Sequence, residues 1–187
     1  MDQISRHFVA NELAPEDVIL HRVGAIMKAH PKMQAIFGGP QWIKVTDVPD
    51  MLDFGHFPIL YVSPFFASSE PQTASYSLDF RLYFVARWEM VGAKELKPGD
   101  ATVASVARLI HSILETGGNK TLNVPDPSNP SSTIQLVNRN TPGPIRFQFD
   151  ESPKSGRLIV SQIIERNFTA KTDPTSGRIR NQVIAES

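Results

Sequence analysis

The sequence contains no cysteine among its 187 residues. Disulfides, thiolate metal sites and a cysteine nucleophile are excluded together, and stability has to come from packing or oligomerisation. Net charge is absent as well, since Lys+Arg 19 balance Asp+Glu 19, so no overall field draws the chain to nucleic acid or to an anionic membrane. There is no apolar run of about 18 residues that could cross a membrane as a helix. Residues 1–14 mix Asp2, Arg6, His7 and Glu12 with few apolar side chains, unlike the apolar centre of a signal peptide. The expectation is a chain made and kept in a cytoplasm, where the sequons at Asn119 and Asn167 carry little weight.

Local signatures of catalysis are missing too. The sequence holds no GxxxxGK[ST] phosphate loop, no GxGxxG after a strand, no GxSxG elbow and no HExxH. The histidines are His7, His21, His30, His56 and His111. His21 and His30 are nine apart on one predicted helix, which does not bring two imidazoles to one metal, and His111 adjoins an apolar stripe, so structural roles are expected. Asp47, Asp50 and Asp53 share a loop that Pro49 interrupts, and they do not match a calcium loop. Lys154-Ser155-Gly156 reads as a hairpin turn, and Arg178 and Arg180 are too few to mark a nucleic-acid surface. No cofactor, metal or catalytic residue is expected, and the chain is not expected to be an enzyme.

What the sequence does hold is clear periodicity. Pro15 opens a predicted helix over residues 15–30, with Glu16 and Asp17 at its positive end and Leu20, Val23, Ile26 and Met27 at helical spacing. Residues 31–37 add a short helical piece before Gly38-Gly39-Pro40. Residues 42–45 suit an edge strand, and residues 57–66, FPILYVSPFF, a strand covered on both faces at Ile59 to Val62. Asp100 precedes the clearest helix, residues 101–115, whose Val103, Val106, Ala107, Ile110, Ile113 and Leu114 form one stripe. Residues 122–144 are rich in proline, with one strand candidate over 133–138. Residues 145–149 and 157–168 suggest a closing hairpin.

The longest pattern is residues 75–90, SYSLDFRLYFVARWEM. Tyr76, Leu78, Phe80, Leu82, Phe84, Ala86 and Trp88 share one parity, and Ser77, Asp79, Arg81, Arg87 and Glu89 the other. The aromatic parity belongs to a core. On the second parity, Asp79, Arg81, Tyr83, Val85 and Arg87 are the candidate subunit-interface residues, because opposite charges on one surface set register between copies. Part of this strand is expected to project past its own sheet.

Helix, strands, helix, strands, without regular alternation, gives an α+β fold: a mainly antiparallel sheet with two helices packed on one face. Residues 1–168 are expected to form a single domain with a Pro-rich insertion at 122–144, and residues 169–187 a flexible polar tail.

The order of these features resembles the tail terminator or tail completion proteins of long-tailed bacteriophages, also grouped as minor tail or neck proteins. The stretches that carry the resemblance are PEDVILHRVGAIMKAH, FPILYVSP, YSLDFRLYFVARW, DATVASVARLIHSILE and RLIVSQIIERNF, over residues 14–168. The resemblance implies a homo-oligomeric ring, a hexamer, that caps the tail tube, ends its polymerisation and offers the head-joining surface. Its partners would be further copies of itself, the tail tube protein and head–tail connector proteins, with no membrane and no specific nucleic acid. Its place would be the tail of the virion, and the host cytoplasm during assembly. Two other classes compete: a small soluble enzyme or ligand-binding domain using His56 and Asp53, and another phage tube or head–tail connector subunit.

Overall fold

The computed structural model describes residues 15–46, 58–68, 75–87, 103–126, 129–152, 157–171 and 182–184. His7, the loop with Asp47, Asp50, Asp53 and His56, the Lys154-Ser155-Gly156 turn, and Arg178 and Arg180 lie outside the described residues.

Helix α1 (Pro15–Ala29) and helix α2 (Pro31–Phe37) fall where the apolar spacing places them. Pro31 separates the two because it cannot donate to the preceding turn, and it suits the first position of the next helix. Helix α2 closes on Gly38 at φ 79, a left-handed conformation that glycine adopts without a Cβ clash. Its N–H and that of Gly39 both donate to the Gln34 carbonyl, at 2.8 and 2.9 Å.

Strands β1 (Ile43–Val45), β2 (Ile59–Ser68) and β3 (Ser75–Arg87) follow, then helix α3 (Val103–Glu115). The chain continues with β4 (Val124–Asp126), β5 (Asn129–Gln135), β6 (Arg139–Ser152), β7 (Arg157–Lys171) and β8 (Gln182–Ile184). One sheet has the order β1-β2-β3-β7-β6 and a second the order β4-β5-β8. Among the described residues, only β1 and β2 pair in parallel, and the other pairings are antiparallel. The architecture is therefore mixed, with helices apart from antiparallel sheets, and is compatible with the α+β class.

Strand alternation sorts the core. Leu60 and Val62 of β2 and Ile164, Phe168 and Ala170 of β7 belong to one buried cluster with Ile19, Val23 and Met27 of α1 and Val106, Ile110 and Leu114 of α3. The opposite parity is closed as well, for Ile59, Tyr61, Ser63, Ile163 and Glu165 are all buried. The apolar run at Ile59 to Val62 thus has both faces covered, as its composition suggests.

Three features extend the sequence reading. The Pro-rich stretch builds β4, β5 and the start of β6, because its prolines are placed where a strand tolerates them. Pro125 lies on an edge strand beside a register shift, and Pro142 borders a shift that ends at Ile145. Next, β8 lies within the tail expected to be flexible, where Val183 and Ile184 pair with Ile134 and Thr133 of β5. Finally, β3 does not run past its sheet: all of it, from Ser75 opposite Lys171 to Arg87 opposite Ile159, is paired with β7. The strand is long because the sheet is long.

The helix-to-sheet distance is set at one point by Gly24. A Cβ there would fall inside the Val45 side chain, so α1 approaches β1 more closely than any other residue permits. Gly24→Ala gains about 1 kcal/mol in helix propensity but loses more by overpacking. The expected net loss, read from urea midpoints, is about 1–2 kcal/mol, with recovery when Val45→Ala is added. An unchanged midpoint in the single variant contradicts this packing.

Candidate functional site

The conspicuous polar cluster lies between α3 and the β6–β7 pair. Arg166 has the parity of Ile164 and Phe168, so the alternation that builds the core carries a guanidinium into it, at 0% exposure. A buried cation persists only if its donors are met. Arg166 Nε and Nη2 both donate to Asn140 Oδ1, at 2.9 and 2.6 Å. Nη1 donates to Glu115 Oε1 at 3.0 Å and to His111 Nδ1 at 2.8 Å. Asn140, itself buried, donates through Nδ2 to the Leu114 carbonyl at 2.9 Å. That carbonyl belongs to the last turn of α3, whose carbonyls lack N–H donors within the helix, so Asn140 also caps it.

Charge and protonation follow from this geometry. Burial lowers the Arg166 pKa, and the Glu115 carboxylate, by hydrogen bond and by charge, opposes the shift; a guanidinium nevertheless stays protonated at neutral pH. Arginine has no acceptor, so His111 Nδ1 must be the unprotonated nitrogen, and the imidazole is neutral with its proton on Nε2. Burial lowers the His111 pKa first and the Arg166 charge second, with Glu115 acting the other way. Glu115 keeps 49% of its side chain exposed, so the cluster reaches solvent along one side.

Four of the five guanidinium N–H groups of Arg166 are engaged within the cluster, which leaves little to grip an anion. Among the described residues, no three His, Asp or Glu side chains are placed to hold a metal ion. Buried polar atoms without a hydrogen-bond partner there are Arg22 Nε, His30 Nδ1 and Gln162 Oε1. His21 is exposed on α1. His30 precedes α2 without a side-chain capping bond.

The interface candidates all lie on β3. In register, Asp79 stands opposite Asn167, Arg81 between Ser63 and Glu165, Tyr83 between Tyr61 and Ile163, Val85 between Ile59 and Ser161, and Arg87 opposite Ile159. The side chains flanking Arg81 and Tyr83 are buried within a single chain, whereas Asn167, beside Asp79, is half-exposed.

Arg166, Asn140 and Glu115 did not emerge from spacing, because the contacts join residues 26 and 51 apart. One signal was there: an arginine on the apolar parity of β7. Comparison with protein-family models and with curated proteins returns no match.

Two outcomes follow for the cluster. Asn140→Ala strips two bonds from a buried cation and uncaps α3, and a loss of about 3 kcal/mol is expected in urea unfolding; a loss below about 1 kcal/mol, the range of an ordinary exposed site, contradicts the clamp. Stability also depends on pH through His111. The unfolded histidine titrates near 6.5 and the folded one lower, so its contribution is complete above 6.5. It declines as pH falls from there to the folded value, while the unfolded chain takes up a proton that the native state refuses. His111→Gln, whose amide oxygen still accepts from Nη1, should flatten that part of the stability curve; equal slopes in the two proteins contradict the assignment.

Proposed function

We propose that this chain is a structural subunit of a long-tailed phage, one that closes into a ring on the end of the tail tube. The ring stops polymerisation by occupying the surface the next tube subunit would use, and its other face receives the head. In this reading the chain is an α+β subunit with α1 and α3 on one face of the long sheet. Its work is steric, and it needs neither a catalytic group nor a cofactor.

The observation that carries the reading is the length of the sheet relative to its helices. Strand β7 has 15 residues, about 50 Å when extended. Helices α1 and α3, with 15 and 13 residues, reach only about 23 and 20 Å. A domain that only encloses its own core gains nothing from strands twice the length of its helices, whereas a ring subunit uses the excess to meet neighbours. The order of elements supports the same reading, since the helix, apolar strand, long strand, amphipathic helix and closing hairpin behind the family resemblance all form.

Asp79, Arg81, Tyr83, Val85 and Arg87 remain the proposed ring contacts, with most weight on Asp79, whose β7 neighbour Asn167 is half-exposed. Light scattering with negative-stain imaging should give a concentration-independent multiple of the 20.8 kDa chain and closed rings. A monomer at every concentration overturns the reading. Asp79→Arg should weaken the ring while the circular dichroism of the subunit is unchanged, and a ring indifferent to that change removes Asp79 from the contact.

A further inference from the structure

Strand β6 ends its sheet. It pairs with β7 on one side, and among the described residues no strand pairs with the other. Such an edge presents alternate backbone N–H and C=O groups to any strand that comes alongside, and proteins usually guard it with proline, lysine or a bulge. Here the guards are gathered at one end. Pro142 and Pro144 flank Gly143, and the register shifts between Pro142 and Ile145. At Gly143 the strand lies so close to β7 that a Cβ would stand 2.8 Å from that of Glu165, so glycine is required to seat the bulge. From Ile145 to Ser152 the pairing with β7 then runs without a shift. That stretch, IRFQFDES, holds neither proline nor lysine. Its first two residues are exposed, Ile145 at 45%.

The unguarded stretch is complementary to itself. A two-fold axis perpendicular to a sheet keeps each face on its own side, so residues paired across it share parity and the axis passes through a residue. With the axis at Gln148, Arg146 stands opposite Asp150 of the second copy and Phe147 opposite Phe149, and each pairing occurs twice. Moving the axis to Phe147 or Phe149 sets Arg146 against Gln148 or Ser152, so that this half-exposed guanidinium keeps only the Glu165 carboxylate of its own chain, at 3.4 Å, and gains no charge partner across the axis. Opposite-charge and aromatic cross-strand pairs are the ones that stabilise a ladder.

We propose that β6 pairs antiparallel with β6 of a second copy of this chain, centred on Gln148, so that two five-stranded sheets become one. The self-complementarity selects the occupant: a strand from an unrelated protein has no reason to match Arg146 and Asp150 at this spacing. The contact is separate from the ring reading and does not depend on it, since a two-fold contact can join subunits of two rings or form alone.

The absence of cysteine makes the axis directly testable. Gln148→Cys places one thiol on the axis, where its mate in the second copy is the residue directly opposite, within the separation a disulfide spans. With copper-phenanthroline and dissolved oxygen as oxidant, this variant should convert to a covalent dimer. Ser152→Cys, whose opposite residue is Pro144 of the second copy, should remain uncoupled. Adding Arg146→Glu to Gln148→Cys sets like charges opposite each other at two places, and should slow the coupling roughly tenfold. Adding Asp150→Arg as well should restore the rate, and that restoration separates a lost contact from a lost fold. Equal coupling of the Gln148 and Ser152 variants, no coupling of either, or no rescue by the charge exchange overturns the proposal. A ring of unchanged size in Arg146→Glu with no coupling at Gln148→Cys overturns this contact and leaves the ring; coupling in a protein that never exceeds a dimer does the reverse.

Discussion

The burial of one guanidinium constrains most of this fold. Arg166 occupies a core position of β7, and a charge there is tolerated only while Asn140, His111 and Glu115 are held to it. Those partners come from β6 and from two turns of α3. The requirement therefore fixes the helix against the sheet and, through Asn140 opposite Phe168, the register of β6 on β7. Apolar contacts alone tolerate small slides of a helix over a sheet. A bonded guanidinium does not, because a shift of an ångström or two breaks several bonds in a medium that offers no replacement.

The same strand carries the sheet. Strand β7 is paired on one side with all of β3 and on the other with β6, from Thr169 opposite Arg139 to Arg157 opposite Ser152. Both parities of its middle are buried: Ile164 and Phe168 on the helix side, Ile163 and Glu165 on the other. Among the described side chains, Asn167 on one face and Ile145 and Arg146 on the edge strand β6 keep exposure. The two-fold contact is assigned to the second of these places, and the ring contact at Asp79 adjoins the first.

Much of the architecture was legible in the sequence because it rests on local periodicity. Helices α1, α2 and α3, the edge position of β1 and the strands β2, β3 and β7 all follow from spacing and from proline and glycine positions. What was not legible rests on partners distant in sequence. Pro142 and Pro144 fall in the stretch expected to be a Pro-rich insertion, yet at a sheet edge beside a bulge they fit a strand, and only the fold reveals where the edge is. Val183 and Ile184 are too short a run to read as a strand without β5 beside them. The polar cluster was hidden in the same way, since Asn140, His111 and Arg166 mean little one at a time. A charged residue on an apolar parity was the one trace it left.

The pairing of β3 with β7 also bears on how the chain is made. Tyr76 waits for Ala170, and Leu78 for Phe168, so the aromatic-rich strand β3 leaves the ribosome well before the strand that will cover its flank exists. During that interval the edge formed by β2 and β3 is open, apolar on one parity and able to template another nascent chain. A sheet closed by its last long strand folds late and from distant contacts. The nascent chain, more than the finished subunit, is the species for which aggregation and chaperone demand are set.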